Sequence, residues 1–198
     1  MTRYVVSRIK DSTRANNVAA ARTANEIVKP ALTANSINLF GVFAPLFGLA
    51  SNELYLVSYA EAPHSVADVV AGAGIDLIES IDLVPTVRPV EAAPRTRPGI
   101  YVFRWFDVYN RDVDEIADLS RQAWVTFEGD FDTQVQALFA EPERGGERGT
   151  MLLITWYTDF SVWEASRRPS AEARDNFMRR AQLTIEAKPI ATRLILPD

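Results

Sequence analysis

The chain has 198 residues, 47% of them hydrophobic, no cysteine and a formal net charge of −5. That is enough apolar material for one generous core or two modest ones, and the missing cysteine excludes disulfides, thiolate nucleophiles and cysteine-held zinc or iron–sulfur centres. The negative balance argues against a surface that binds phosphate backbones, so nucleic acid is not expected as a partner.

The N-terminus runs directly into a strand-like stretch, Tyr4-Val5-Val6-Ser7-Arg8, without the basic and then apolar regions of a signal peptide. A cytoplasmic location is expected. Val18, Ala21, Ala24, Val28 and Leu32 keep helical spacing and predict a helix that starts near Asp11 or Ser12 and stops by Asn35. Leu39 to Ala50 is apolar but is broken by Gly41, Pro45 and Gly48. It falls short of the roughly 20 residues that span a bilayer, and no membrane partner is expected. Leu54-Tyr55-Leu56-Val57-Ser58-Tyr59 reads as a strand, Ser65 to Ala73 as a short helix closed by Gly72 and Gly74, and Val84-Pro85-Thr86 as a further strand. Gly72-Ala73-Gly74 lacks the third glycine of a dinucleotide loop and is set aside. The proline-studded stretch from Pro89 to Pro98 reads as a linker.

The second half opens on the strand Ile100-Tyr101-Val102-Phe103-Arg104-Trp105, followed by a helix on which Val113, Ile116, Ala117, Ser120, Trp124 and Phe127 share a face, with Asn110 as its expected cap. Val135 to Ala140 and Leu152 to Tyr157 are strands. Ser161-Val162-Trp163-Glu164 has the form of a capping box. The helix it starts is interrupted at Pro169, recapped at Ser170 and carried on by a Phe177, Ala181, Ile185 stripe until Pro189 opens the last strand. Arg167, Arg168, Arg174, Arg179 and Arg180, interspersed with Glu164, Glu172 and Asp175, read as a solvated, salt-bridged face of that helix.

Self-similarity ties the halves together. Tyr4 to Arg8 lies over Tyr101 to Trp105 at an offset of 97, Leu39 to Ala44 over Val135 to Ala140 at 96, and Leu54 to Tyr59 over Leu152 to Tyr157 at 98. The expected fold is therefore α+β: a tandem duplication of a ferredoxin-like βαββαβ unit, with residues 1–90 as the first half, 91–98 as a linker and 99–198 as the second half. Because such sheets carry their helices on one face, the two open faces are expected to pack together as an α/β barrel.

The second half, through its Ile100 to Trp105 and Leu152 to Tyr157 strands and its proline-containing Trp163 to Leu183 helical stretch, resembles the NIPSNAP group of the dimeric α/β-barrel superfamily. That resemblance implies two paired copies around a central barrel. The superfamily includes cofactor-free monooxygenases, isomerases, dehydratases and haem proteins, so the fold does not choose a function.

Candidate site residues follow from strands that are apolar on both faces. Arg104 is expected to point into a space between the two sheets, where a buried guanidinium needs an anionic partner, and Arg8 to play the same part in the first copy. Tyr101, Trp105, Trp156, Tyr157 and Tyr59 are expected to face a planar or hydrophobic ligand. His64, the only histidine, is read as a solvated loop or capping residue. No protein-bound metal and no cofactor are expected. The functional expectation is a binding protein or cofactor-independent enzyme whose hydrophobic or aromatic, anionic ligand lies between the halves; the alternative is an interaction module with a filled barrel. The apolar loop Pro45 to Ala50 is expected to be covered by a second chain in a homodimer, and the charged tip Arg144 to Arg148 to be solvated and mobile.

Overall fold

The computed structural model describes residues 1–196. Strand β1 (Arg3–Lys10) is followed by a helix in three parts, α1 (Val18–Thr23), a π-helical turn (Ala24–Val28) and α2 (Lys29–Ala34), and then by β2 (Asn38–Phe47), β3 (Glu53–Ala60), α3 (Ala67–Gly72) and β4 (Asp76–Pro85). The second copy runs β5 (Ile100–Tyr109), α4 (Val113–Asp130), β6 (Thr133–Ala140), β7 (Arg148–Tyr157), α5 (Phe160–Ala165), α6 (Ala171–Gln182) and β8 (Thr184–Ile195). The fold is α+β, and the order βαββαβ occurs twice.

The chain forms two compact units, neither of which is a continuous stretch of sequence. The first holds Met1–Val84, Ala92–Pro98 and the chain from Ile190 onward; the second holds Pro85–Glu91 and Gly99–Pro189. In the first unit β4 pairs with β1, β1 with β3, β3 with β2, and β2 with the end of β8, all antiparallel. In the second, β7 lies antiparallel between β5 and β6. The proline-rich stretch and the residues before it are hydrogen-bonded to the two units. Thr86 N donates to Leu138 O and Leu138 N to Arg88 O at 2.9 Å in the second unit, while Arg95 N donates to Phe40 O at 2.7 Å in the first.

The duplication shows in the irregularities as well as in the order. The register of β2 on β3 slips between Leu39 and Gly41, and that of β6 on β7 between Val135 and Ala137. These bulges lie 96 residues apart, the offset at which the sequences align. At β3 and β7, however, the offset of 98 is one too large. Ile9 pairs with Leu54 in the first unit and Phe106 with Met151 in the second, and both pairs pack on helices. The structural offset is therefore 97 for both strands of the pair. A one-residue slip moves every side chain to the opposite face of a sheet, so Tyr59 corresponds to Trp156 and Ala60 to Tyr157.

Local signals explain the remaining departures from expectation. The first helix begins at Val18, and its π-helical turn precedes Pro30, which has no N–H to donate and whose ring crowds the carbonyl of Glu26; a widened turn absorbs both defects. Asn110 does not cap α4. Its side chain instead donates to Gly146 O and Arg148 O at 2.9 Å, and Arg144 pairs with Asp114 at 2.7 Å, so the charged tip is tied down. The α5 cap is Asp159, whose carboxylate accepts from Val162 N at 3.0 Å, in place of the Ser161 box. Ile185 belongs to β8 because α6 ends at Gln182. The Pro45–Phe47 segment is strand, paired to Thr192 and Ala191. Leu46 and Leu49 are half-buried in their own unit, and Phe47 is 68% exposed.

Gly99 turns the chain into β5 at φ +143°, and a Cβ there would collide with Trp156 Nε1 and with the Tyr157 carbonyl oxygen. The left-handed backbone and the clash with main chain both oppose any side chain. Gly99→Ala is expected to lower stability by about 1–3 kcal/mol, read as a fall in the urea midpoint; an unchanged midpoint would show that β5 starts elsewhere.

Candidate functional site

Alternation along β5 and β7 decides what each side chain meets. Arg104 pairs with Leu153 and Phe106 with Met151, and Phe106, Met151 and Leu153 pack in one cluster with Val113, Ile116, Ala117 and Trp124 of α4. Arg104 therefore points to the helix-covered face of its sheet, not into a space between two sheets. Val102, which pairs with Thr155, and Ile100, which pairs with Tyr157, lie on that same face. Tyr101, Phe103 and Trp105 pair with Trp156, Ile154 and Leu152 on the other one.

Between this sheet and α4 and α6 lies a cavity of about 490 Å³, wholly within the second unit. Its apolar wall includes Phe106, Trp124, Phe127 and Phe177, and its polar groups include Thr155, Tyr157 and Ser166. Four arginines, Arg104, Arg167, Arg174 and Arg180, line it, and no acidic residue does.

Arg180 is the residue that sequence reading misplaced. It is 6% exposed, its Nη1 donates to buried Ser120 Oγ at 3.3 Å, and its guanidinium lies 4.9 Å from the Phe177 ring and 5.3 Å from that of Phe106. Burial, and then the charge of Arg104, push its pKa down to about 9. Burial also lowers the pKa of Arg104, opposed by Tyr157 and reinforced by Arg167. Among the described residues neither arginine has a carboxylate within ion-pair distance, and the Arg104 side chain makes no hydrogen bond. A signal for Arg180 was present. Ala173, Phe177 and Arg180 fall at i, i+4 and i+7, which places the arginine on the apolar stripe of α6. The solvated reading holds for Arg179, half exposed and paired with Glu115 of α4 at 3.0 Å.

Tyr157 is buried beside Arg104, and its pKa is raised by burial, against the lowering effects of Arg104 and of the Ser166 and Thr155 hydroxyls. At neutral pH it is a phenol. The cavity thus offers fixed cationic donors and a neutral hydroxyl donor side by side, an arrangement that receives a carboxylate, enolate or phosphate oxygen.

The other expected residues lie apart from this cavity. Tyr101 and Trp156 are buried at 1% and 2% exposure and do not line it. Trp105 is half-buried and does not line it either. In the first unit Arg8 lies between Glu53 at 3.9 Å and Glu79 at 3.8 Å, so carboxylates of its own unit already answer its charge. Tyr59 packs on Tyr4, with ring centroids 5.6 Å apart. His64 is not a solvated loop residue: it is half-buried, with Nδ1 3.3 Å from Ala62 O and Nε2 2.9 Å from the fully buried Ser58 Oγ. A carbonyl oxygen only accepts, so Nδ1 carries the proton and neutral Nε2 accepts from Ser58. Among the described residues no cluster of three or more His, Cys, Asp or Glu side chains is placed to hold a metal ion, and no helix is long and apolar enough to cross a membrane.

No family model matches the chain, and no curated protein does. Solved structures do. An anthrone oxidase-like protein superimposes with a TM-score of 0.62 at 12% identity, covering 98% of this chain and 92% of its own. A heme-binding protein from Thermus thermophilus gives 0.59 at 10% identity, covering 98% and 91%. A chlorite dismutase from Candidatus Nitrospira defluvii gives 0.59 at 7% identity, again covering 98% and 91%. At these identities the likenesses show a shared α+β fold.

Burial lowers the pKa of His64 below its ordinary value of 6.5. The folded chain then takes up this proton at lower pH than the unfolded chain, so stability falls as pH drops through about 6.5. The urea midpoint is expected to decrease between pH 7 and 5, and by less in His64→Gln; equal decreases in the two proteins would contradict the buried Ser58–His64 contact.

Proposed function

We propose that the second unit binds a small organic anion with an apolar or aromatic body in the cavity between its sheet and helices. The observation that carries this reading is a guanidinium, Arg104, that lines an apolar cavity without a carboxylate or a hydrogen bond among the described residues. A charge in such surroundings is costly unless a ligand answers it. The cavity volume lies within the range typical of small-molecule sites, and an open cavity supports a ligand over a filled interaction module. We place the chain in the dimeric α/β-barrel superfamily, with the NIPSNAP group, on the strand and helix patterns of the second half.

The heme-binding neighbour raises the question of whether haem suits these residues. A haem held by histidine or thiolate does not. The cavity lining contains neither residue, and the single histidine belongs to the first unit, bonded to Ser58.

In this reading Arg104 receives one oxygen of the anion and Tyr157 donates its phenolic proton in a hydrogen bond to the same group, while Phe106, Trp124, Phe127 and Phe177 bury the body. Benzoate and the neutral benzyl alcohol, followed by calorimetry, test it. Benzoate is expected to bind more tightly, and Arg104→Met to weaken benzoate by roughly 10- to 100-fold, the scale of a charge-assisted hydrogen bond, while leaving benzyl alcohol unchanged. Equal affinities for the two probes, or no effect of the substitution in a folded variant, would refute the proposal.

A further inference from the structure

The charge count goes further than a single anion. Arg104 and Arg180 line the same cavity; the charge of Arg104 adds to burial in lowering the pKa of Arg180, and Arg167 lowers both. Among the described residues the Arg180 guanidinium makes one hydrogen bond, to the neutral Ser120, and otherwise lies against two phenyl rings. Two like charges held side by side at the edge of an apolar cavity repel, and a monoanion compensates only one of them. Arg167 and Arg174 also line the cavity, with no acid among the lining residues.

We infer that the ligand of this site is a dianion: an amphiphilic molecule with two negative charges at one end, a phosphate monoester or a pair of adjacent carboxylates, and an aromatic or aliphatic body. The inference rests on the anion-binding reading above. Arg104 and Arg180 hold the doubly charged head, since the planar guanidinium fork suits both phosphate and carboxylate oxygens. Tyr157 donates a further hydrogen bond without adding charge. Arg167 and Arg174 draw the head in, and the phenyl and indole rings of the lining take the body.

The probes are benzoate, phthalate, phenyl phosphate and benzyl alcohol, titrated into the full-length protein and followed by calorimetry and by tryptophan fluorescence. Phthalate or phenyl phosphate is expected to bind at least about 10-fold more tightly than benzoate, the scale of one added charge-assisted contact. Arg180→Met is expected to erase that advantage while benzoate still binds, and the tighter of the two dianions distinguishes phosphate from dicarboxylate. Should Arg180→Met fail to fold, the unaltered protein still decides the matter. The second proton of a phosphate monoester leaves near pH 6, whereas guanidinium and phenol groups ordinarily titrate well above pH 7. Phenyl phosphate is therefore expected to tighten by roughly 10-fold over that interval, and benzoate to stay level. Equal affinity for benzoate and both dianions, or a level phenyl phosphate profile, would overturn the dianion while leaving an anion site in place. Equal affinity for benzoate and benzyl alcohol would remove both.

Discussion

The site depends on one constraint, the strict alternation of side chains along β5 and β7. Arg104 faces Leu153 across the pair, and Leu153 packs under α4; the guanidinium is thereby committed to the covered side of the sheet. A residue with five donors and no acceptor cannot be silenced by losing its proton there. Arg180 reaches the same cavity from α6, and its flat, weakly hydrated cation is tolerated because two phenyl faces and a serine surround it. What remains unanswered is charge, and the proposed anion would answer it.

The two copies show what the frame looks like without that commitment. At the structural offset of 97, Arg104 corresponds to Ser7, Thr155 to Ser58 and Tyr157 to Ala60, three small residues. The space they leave is filled. Ala20, Ala21, Ala24, Val28 and Leu32 of the first helix close onto Leu54 and Leu56, and alanine in place of larger residues lets that helix approach. Ser7 bonds Ser80 at 2.7 Å and Ser58 bonds His64, so the polar groups are consumed locally. In the second copy Trp124 and Phe127 stand on α4, and α6 replaces the short α3. At this place one unit has a packed core and the other a cavity, on the same strand order and with the same bulge.

How much of this was legible in the sequence follows the same physics. Strand existence, order and the duplication were readable because β-rich runs recur at nearly constant spacing, and the bulges preserve the 96-residue offset of β2 and β6. Face assignment was not. The Leu54 to Tyr59 run is apolar at both alternating positions, so nothing in it distinguishes an offset of 97 from 98, and the slip exchanged Tyr59's counterpart from Trp156 to Tyr157. Arg104 was recognisable as a buried cation from its apolar neighbours, yet those neighbours, Tyr101, Phe103 and Trp105, belong to the opposite face. Arg180 was hidden by company: four other arginines on the same helical stretch made it look solvated, although its spacing from Ala173 and Phe177 put it on the inward stripe. Tyr157 is legible in the sequence as an aromatic ring, whereas its hydroxyl beside Arg104 is the part the proposed anion site would use.

Charge at two length scales then sets what can enter. The whole chain carries a net charge of −5, which disfavours approach of extended polyanions, while the cavity collects four arginines and no acid. Such a positive pocket in a negative body selects by size as well as by sign. A small anion can place its whole charge among the arginines, where low-dielectric walls strengthen the attraction. A polyanionic chain must leave most of its charges outside, facing the surplus of carboxylates. The apolar wall of Phe106, Trp124, Phe127 and Phe177 adds a third filter, because an inorganic ion leaves those rings facing water and an organic body covers them.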